Sequence, residues 1–159
     1  MKRVLLFVLC SILISCNSNA QKKEKEKFPV EKTNEEWKAQ LTDMEYKVLR
    51  KQATERPGNN EYNKFFGEGV YTCAGCGVEL YESAYKYDSG SGWPAFDRGI
   101  DENLAYETDS SIGMVRTEVH CANCGGHLGH VFNDGPTQTT GKRHCINSVS
   151  LDFIPADNE

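Results

Sequence analysis

Two matched turns constrain this chain more than any other feature: Cys73-Ala-Gly-Cys76-Gly77 and Cys121-Ala-Asn-Cys124-Gly125. Cysteines three apart on a tight turn can both point at one ion. The glycine that follows accepts the backbone twist and leaves amides free to face the sulfurs. Two such knuckles supply the four thiolates of a closed tetrahedral site. Cys73, Cys76, Cys121 and Cys124 are therefore expected to hold one structural zinc ion, with no open position for water or substrate. The 44 residues between the knuckles exceed a minimal zinc ribbon, so the ion would staple distant parts of a larger fold. Two local disulfides in an oxidising compartment are an alternative. A thioredoxin-type redox pair is another, but no βαβ pattern surrounds either motif.

Seven cysteines are present, and an odd number cannot close into disulfides alone. Lys2 and Arg3 precede an apolar run over residues 4–14. That run is well short of the ~20 residues needed to span a bilayer and has the shape of a secretory h-region. Leu13-Ile14-Ser15-Cys16 then resembles a bacterial lipobox, cut before the cysteine and acylated on its sulfur. Residues 1–15 are expected to be a lipoprotein signal peptide carrying Cys10 away, Cys16 the lipidated residue, and residues 16–32 a charged tether. An ordinary signal peptide with an incidental cysteine is the alternative. Cleavage would leave 159 − 15 = 144 residues, anchored to a membrane in the bacterial cell envelope, outside the cytoplasm. The net charge of −5 argues against a nucleic-acid partner.

Residues 33–155 have the length and patterning of one domain. Thr33 with Glu36, and Thr42 with Glu45, have capping-box spacing. Trp37 and Leu41, then Met44, Val48 and Leu49, supply apolar stripes, so two short helices are predicted before Glu55-Arg56-Pro57-Gly58. Beyond Pro57, short β-type runs at residues 70–72, 104–108, 114–119, 128–132 and 143–153 predict a mainly β, antiparallel structure.

Once the signal, the lipid and the zinc have taken theirs, Cys145 is the one cysteine left. On a strand, Arg143, Cys145, Asn147, Val149, Leu151 and Phe153 would share a face. Arginine beside the sulfur favours thiolate, as a nucleophilic cysteine requires; a buried inert cysteine continuing the apolar row is the bland reading. His127 and His130, in a glycine-flanked turn just after the second knuckle, are candidates for proton transfer. Ser89-Gly-Ser-Gly-Trp93-Pro94-Ala-Phe96 presents a large aromatic surface, either core packing or a wall for an apolar ligand.

These motifs together, with Asp134-Gly-Pro136, resemble the B-type methionine-R-sulfoxide reductases from about residue 33 to residue 153. The resemblance implies two antiparallel β-sheets with N-terminal helices and a zinc site away from the catalytic sulfur. It implies that Cys145 attacks the sulfoxide sulfur and becomes a sulfenic acid. His127 and His130 would bind and protonate the departing oxygen, while Arg143 supports the thiolate and Asn147 the polar half of the site. Trp93, Phe96 and Phe132 would form the substrate pocket, with Trp93 against the ε-methyl group. The substrate would be the R diastereomer of methionine sulfoxide, in an oxidised protein.

One departure stands out. Many members carry a resolving cysteine just before the tryptophan, where this chain has Ser91. Oxidised Cys145 is therefore expected to be recycled by an external small thiol or thioredoxin-like reductant. A monomer is expected. The rival functions are a zinc-stabilised peptide-binding module and a thiol redox sensor.

Overall fold

The computed structural model describes residues 27–156. The expected signal peptide, Cys16 and most of the expected tether lie outside the described residues. Helix α1 (Asn34–Gln40) begins at Thr33, whose hydroxyl accepts from the Glu36 amide while the Glu36 carboxylate accepts from the Thr33 amide. Helix α2 (Asp43–Lys51) repeats this capping box with Thr42 and Glu45. Trp37, Leu41, Tyr46, Val48 and Leu49 are buried, whereas Met44, expected on the apolar stripe, is exposed and Tyr46 takes the inward place. Among the described residues no helix is long and apolar enough to cross a membrane. Residues ahead of α1 pack on the second knuckle: the Val30 amide donates to the Asn123 carbonyl at 2.8 Å, and the Phe28 ring lies over Gly125.

Among the described residues nine strands follow: β1 (Gly69–Cys73), β2 (Glu79–Glu82), β3 (Lys86–Tyr87), β4 (Ala95–Phe96), β5 (Leu104–Asp109), β6 (Arg116–Cys121), β7 (His127–Phe132), β8 (Arg143–Ile146) and β9 (Leu151–Pro155). They form a three-stranded sheet, β2-β1-β9, and a six-stranded sheet, β3-β4-β8-β7-β6-β5. Every pairing is antiparallel. The mainly β, two-sheet architecture with short N-terminal helices is the one expected.

The expected single strand over residues 143–153 is instead two. After Ile146 a 3-10 turn, Ser148–Ser150, redirects the chain, so β8 belongs to the larger sheet and β9 to the smaller. The turn is held from outside its own segment. The buried Glu55 carboxylate accepts from the Ser148 and Val149 amides, and Ser150 donates its hydroxyl to the Asn147 carbonyl at 2.6 Å. Leu151 and Phe153 therefore do not continue the Cys145 face.

Cross-strand register builds the two faces of the larger sheet. Glu107, Glu118, His130, Cys145, Ala95 and Tyr87 stand opposite one another in one row across β5, β6, β7, β8, β4 and β3. Directly opposed residues share a face. The adjacent row, through Val131, His144 and Phe96, faces the other way into an aromatic core with Tyr81 and Tyr71.

His144 is buried against Tyr81, whose hydroxyl is 3.3 Å from Nδ1. Burial pushes its pKa down to about 4, beyond what Asp101 and Asp97 restore and with Lys142 adding to the depression. The unfolded chain takes up this proton near 6.5, the folded chain only near 4. Stability should therefore be complete above pH 6.5 and fall by roughly 3 kcal/mol as the pH drops to 4. Urea midpoints should show this slope in the wild type and a flatter one in His144→Gln; equal slopes would refute the assignment.

Candidate active site and metal centre

The knuckles meet. Cys73 ends β1 and Cys121 ends β6, and each backbone turns back at its glycine: Gly77 donates to the Cys73 carbonyl at 2.7 Å and Gly125 to the Cys121 carbonyl at 2.8 Å. Both glycines have positive φ, 76° and 68°. The four sulfurs lie within 4.8 Å of one another, with Cys73 to Cys124 at 3.7 Å and Cys76 to Cys121 at 3.6 Å. Thiolates ~2.3 Å from a tetrahedral ion stand ~3.8 Å apart, whereas a disulfide needs ~2.0 Å. The cluster fits a metal ion, and all four cysteines are free of disulfides. A shared four-sulfur cluster of free cysteines favours the metal reading over two local disulfides.

The second constellation gathers around Cys145. A cavity of about 120 Å³ is lined by Thr54, Trp93, Arg116, Gly129, His130, Phe132, Cys145, Ile146 and Asn147. Cys145 on β8 is paired with His130 on β7, which places both side chains on one face. Ser91 Oγ lies 3.8 Å from Cys145 Sγ and 2.8 Å from Ser89 Oγ. Its turn is pinned from the other side, because the Gly58 amide and the Asn60 side chain both donate to the Gly92 carbonyl, at 2.7 and 2.8 Å. Trp93 is fixed through Nε1, which donates to the Glu55 carbonyl at 3.2 Å.

Each histidine has a carboxylate. His127 Nδ1 is 2.6 Å from Glu118 Oε1, and His130 Nε2 is 2.8 Å from Asp109 Oδ2. Gln52 donates to both Glu118 oxygens, at 3.2 and 3.0 Å, and Arg116 to Asp109. Carboxylates in these positions fix ring orientation; His130 lines the cavity, whereas His127 is buried behind it and is not a lining residue. The two rings stand 5.4 Å apart edge to face, and the buried His127 Nε2 has no partner among the described residues. The histidines sit on a strand, β7, rather than in a turn. Burial pushes the His130 pKa below its ordinary value, although Asp109 opposes this.

Several expectations need correction. Phe96 does not line the cavity. It is fully buried on the opposite sheet face, stacked on Tyr81 at 4.4 Å, because its β4 register pairs it with His144 rather than Cys145. Asn147 borders the cavity, but its amide is engaged elsewhere: Nδ2 donates to the Leu128 carbonyl at 2.9 Å and Oδ1 accepts from the Glu55 amide at 3.1 Å. It holds backbone in place. Arg143 forms a two-pronged pair with Asp134, at 2.8 and 2.9 Å, over the Phe132 ring. It pulls the Cys145 thiol towards thiolate as expected, and Ser91 helps. Burial outweighs both, and the pKa is raised.

Residues 41–155 match the family model described as the SelR domain. The chain belongs to the SelR domain family. Similar proteins include "Peptide methionine sulfoxide reductase MsrB" of Methanosarcina barkeri, 56% identical over 127 residues, covering 78% of this chain and 87% of that one. The protein of the same name from Chromohalobacter salexigens is 50% identical over 129 residues, covering 80% of this chain and 97% of that one. "Peptide methionine sulfoxide reductase B5" of Oryza sativa is 51% identical over 127 residues, covering 79% and 92%.

In this SelR domain the residues that sequence reasoning missed are Glu118, Asp109, Arg116, Thr54 and Glu55. The polar alternation Arg116, Glu118, His120 on β6 was a signal available for the first of these. The raised Cys145 pKa makes a direct prediction. Iodoacetamide labelling of Cys145, followed by peptide mapping, should accelerate with pH through a midpoint above the ordinary thiol value of 9.0. The midpoint should rise further in Arg143→Met; a midpoint below 9.0 would overturn the dominance of burial.

Proposed function

We propose that this chain reduces the R diastereomer of methionine sulfoxide, protein-bound, to methionine. The observation that carries this reading is Cys145 opposite His130 in a small cavity walled by Trp93 and Phe132. A sulfoxide sulfur carries an oxygen, a methyl group, a chain and a lone pair. The cavity offers different surfaces to two of these, aromatic carbon at Trp93 for the methyl group and the His130 imidazole for the oxygen, and sets Cys145 as a third point of approach. Such a pocket distinguishes mirror images. The R preference itself follows the family resemblance.

The chemistry balances without another reactant in the first step. Cys145 sulfur attacks the sulfoxide sulfur and forms an S–S bond to it, and the protonated oxygen then moves to the Cys145 sulfur as the S–O and S–S bonds break. Methionine leaves, and Cys145 remains as sulfenic acid, two electrons more oxidised. A sulfoxide oxygen departs poorly until protonated. The proton that burial keeps on the Cys145 thiol supplies that need, passing through His130 or His127 as the thiolate forms. Glu118 and Asp109 hold the rings in place for the transfer. An external thiol then condenses with the sulfenic acid, releasing water, and a second thiol frees Cys145 from the mixed disulfide. Among the described residues every other cysteine belongs to the four-sulfur cluster, which supports an external reductant.

Cys73, Cys76, Cys121 and Cys124 would hold zinc, a d10 ion that four thiolates close off from substrate. Its contribution is to the fold. We further propose that Cys16 is lipidated and that the domain acts at the bacterial envelope outside the cytoplasm.

Separate R and S diastereomers of methionine sulfoxide, supplied with excess dithiol, test the reading. The R form alone should be consumed. Cys145→Ser should lose turnover by at least about 1,000-fold while keeping one zinc per chain, since nucleophile loss leaves only binding. Consumption of S alone would reject the assignment. Binding without turnover would favour a peptide-binding module, and a single stoichiometric oxidation a redox sensor. Labelled palmitate should enter the wild-type chain in cells and not Cys16→Ala; equal incorporation would overturn the lipid anchor.

A further inference from the structure

The cavity at Cys145 has room for about four waters at ~30 Å³ each, which is the end of one side chain and no more. A polypeptide substrate must therefore lay its backbone and flanking residues on the rim. One exposed segment runs on directly from the cavity wall. Strands β5 and β6 end in a hairpin tip at residues 110–115 on which Ile112, Met114 and Val115 are 60%, 55% and 77% exposed. Val115 directly precedes Arg116, a residue of the cavity wall.

The base of the tip is tied to the site. Asp109 and Arg116 pair across the hairpin base, Asp109 also accepts from the Ser111 amide at 2.9 Å, and the same carboxylate bonds His130. Gly113, at φ 77°, makes the turn. The apolar tip is thus continuous, through Asp109 and Arg116, with the histidine opposite Cys145. Phe66 and Ile154, also exposed, instead border a groove with residues of the smaller sheet, Val70 and Glu82 among them.

We propose that Ile112, Met114 and Val115 form a docking rim for unfolded polypeptide whose apolar side chains flank an oxidised methionine. The proposal rests on the reductase reading given above. The chemistry of the partner follows from the damage itself. Methionine is among the more buried residue types, surrounded in sequence and space by apolar neighbours. Oxidation makes it polar and disrupts the core that held it. A segment damaged in this way presents apolar residues beside its sulfoxide, and an exposed apolar tip next to the cavity would select such segments over free methionine sulfoxide or intact surfaces.

The test uses two synthetic peptides with one central methionine-R-sulfoxide, flanked within three residues either by Leu and Val or by Ser and Gly. N-acetyl methionine-R-sulfoxide serves as the small reference. Wild-type protein should show a KM about tenfold lower for the Leu/Val peptide than for the Ser/Gly peptide, the scale of one or two side chains partly buried. The triple variant Ile112→Ser, Met114→Ser, Val115→Ser should erase that difference while kcat/KM for the small reference stays within about twofold. A flank preference that is absent from the wild type, or that survives in the variant, overturns the docking rim while leaving the reductase reading intact. Failure to turn over the small reference overturns the reductase reading. In that event fluorescence anisotropy of the two peptides on Cys145→Ser protein, with and without the triple substitution, decides the rim by the same comparison.

Discussion

The pairing of β7 with β8 is the constraint on which the site depends, and glycine makes it possible. A Cβ at Gly129 would fall 2.0 Å from the Cys145 carbonyl oxygen, inside any permitted contact. At the far end of the same hairpin a Cβ at Gly135 would meet the Lys142 carbonyl oxygen at 1.8 Å. Between these two close approaches, His130 falls opposite Cys145 and Phe132 opposite Arg143. A slip of one residue would turn Cys145 into the core beside Phe96 and Tyr81. The nucleophile and its histidine are neighbours only in this register.

The four-sulfur cluster acts one step further back. Cys73 belongs to the smaller sheet and Cys121 to the larger, so the cluster joins the two sheets as well as the two knuckles. It also fixes where β7 begins, since Cys124 is followed by Gly125, Gly126 and then His127. Gly126 has its own reason to be glycine: a Cβ there would come 2.9 Å from Leu49 and 3.3 Å from Cys124 Sγ. Helix α2, capped by its own sequence, packs Leu49 into this junction and sends Gln52 on to Glu118. A local signal thereby reaches the carboxylate that orients His127.

Features whose cause is local were legible in the sequence. Thr33 with Glu36 and Thr42 with Glu45 specify their caps within four residues, and each knuckle specifies its own turn. Cys145 was legible by elimination. Phe96 was not, because the face a strand residue takes depends on its register with a partner, and Ala95 rather than Phe96 stands opposite Cys145. The break after Ile146 was hidden for a similar reason. The carboxylate that stabilises the turn comes from Glu55, 93 residues away from Ser148. Asp109 and Glu118 looked like ordinary strand charges until the β5–β6–β7 ladder placed them beside the two histidines.

Burial of Cys145 has two consequences that belong together on the proposed reaction. A thiol raised in pKa by its surroundings resists adventitious oxidation and alkylation in the free protein, since thiolate is the reactive form. It becomes nucleophilic when a sulfoxide oxygen accepts the proton, so activation is tied to the presence of substrate. The same enclosure governs regeneration. Ser91, 3.8 Å from the sulfur, can accept or donate a hydrogen bond to a sulfenic acid but cannot supply the electrons that reduce it. On that reaction an external reducing thiol would arrive through the mouth that methionine has just vacated, and a rim that admits an oxidised polypeptide would also have to admit the reductant.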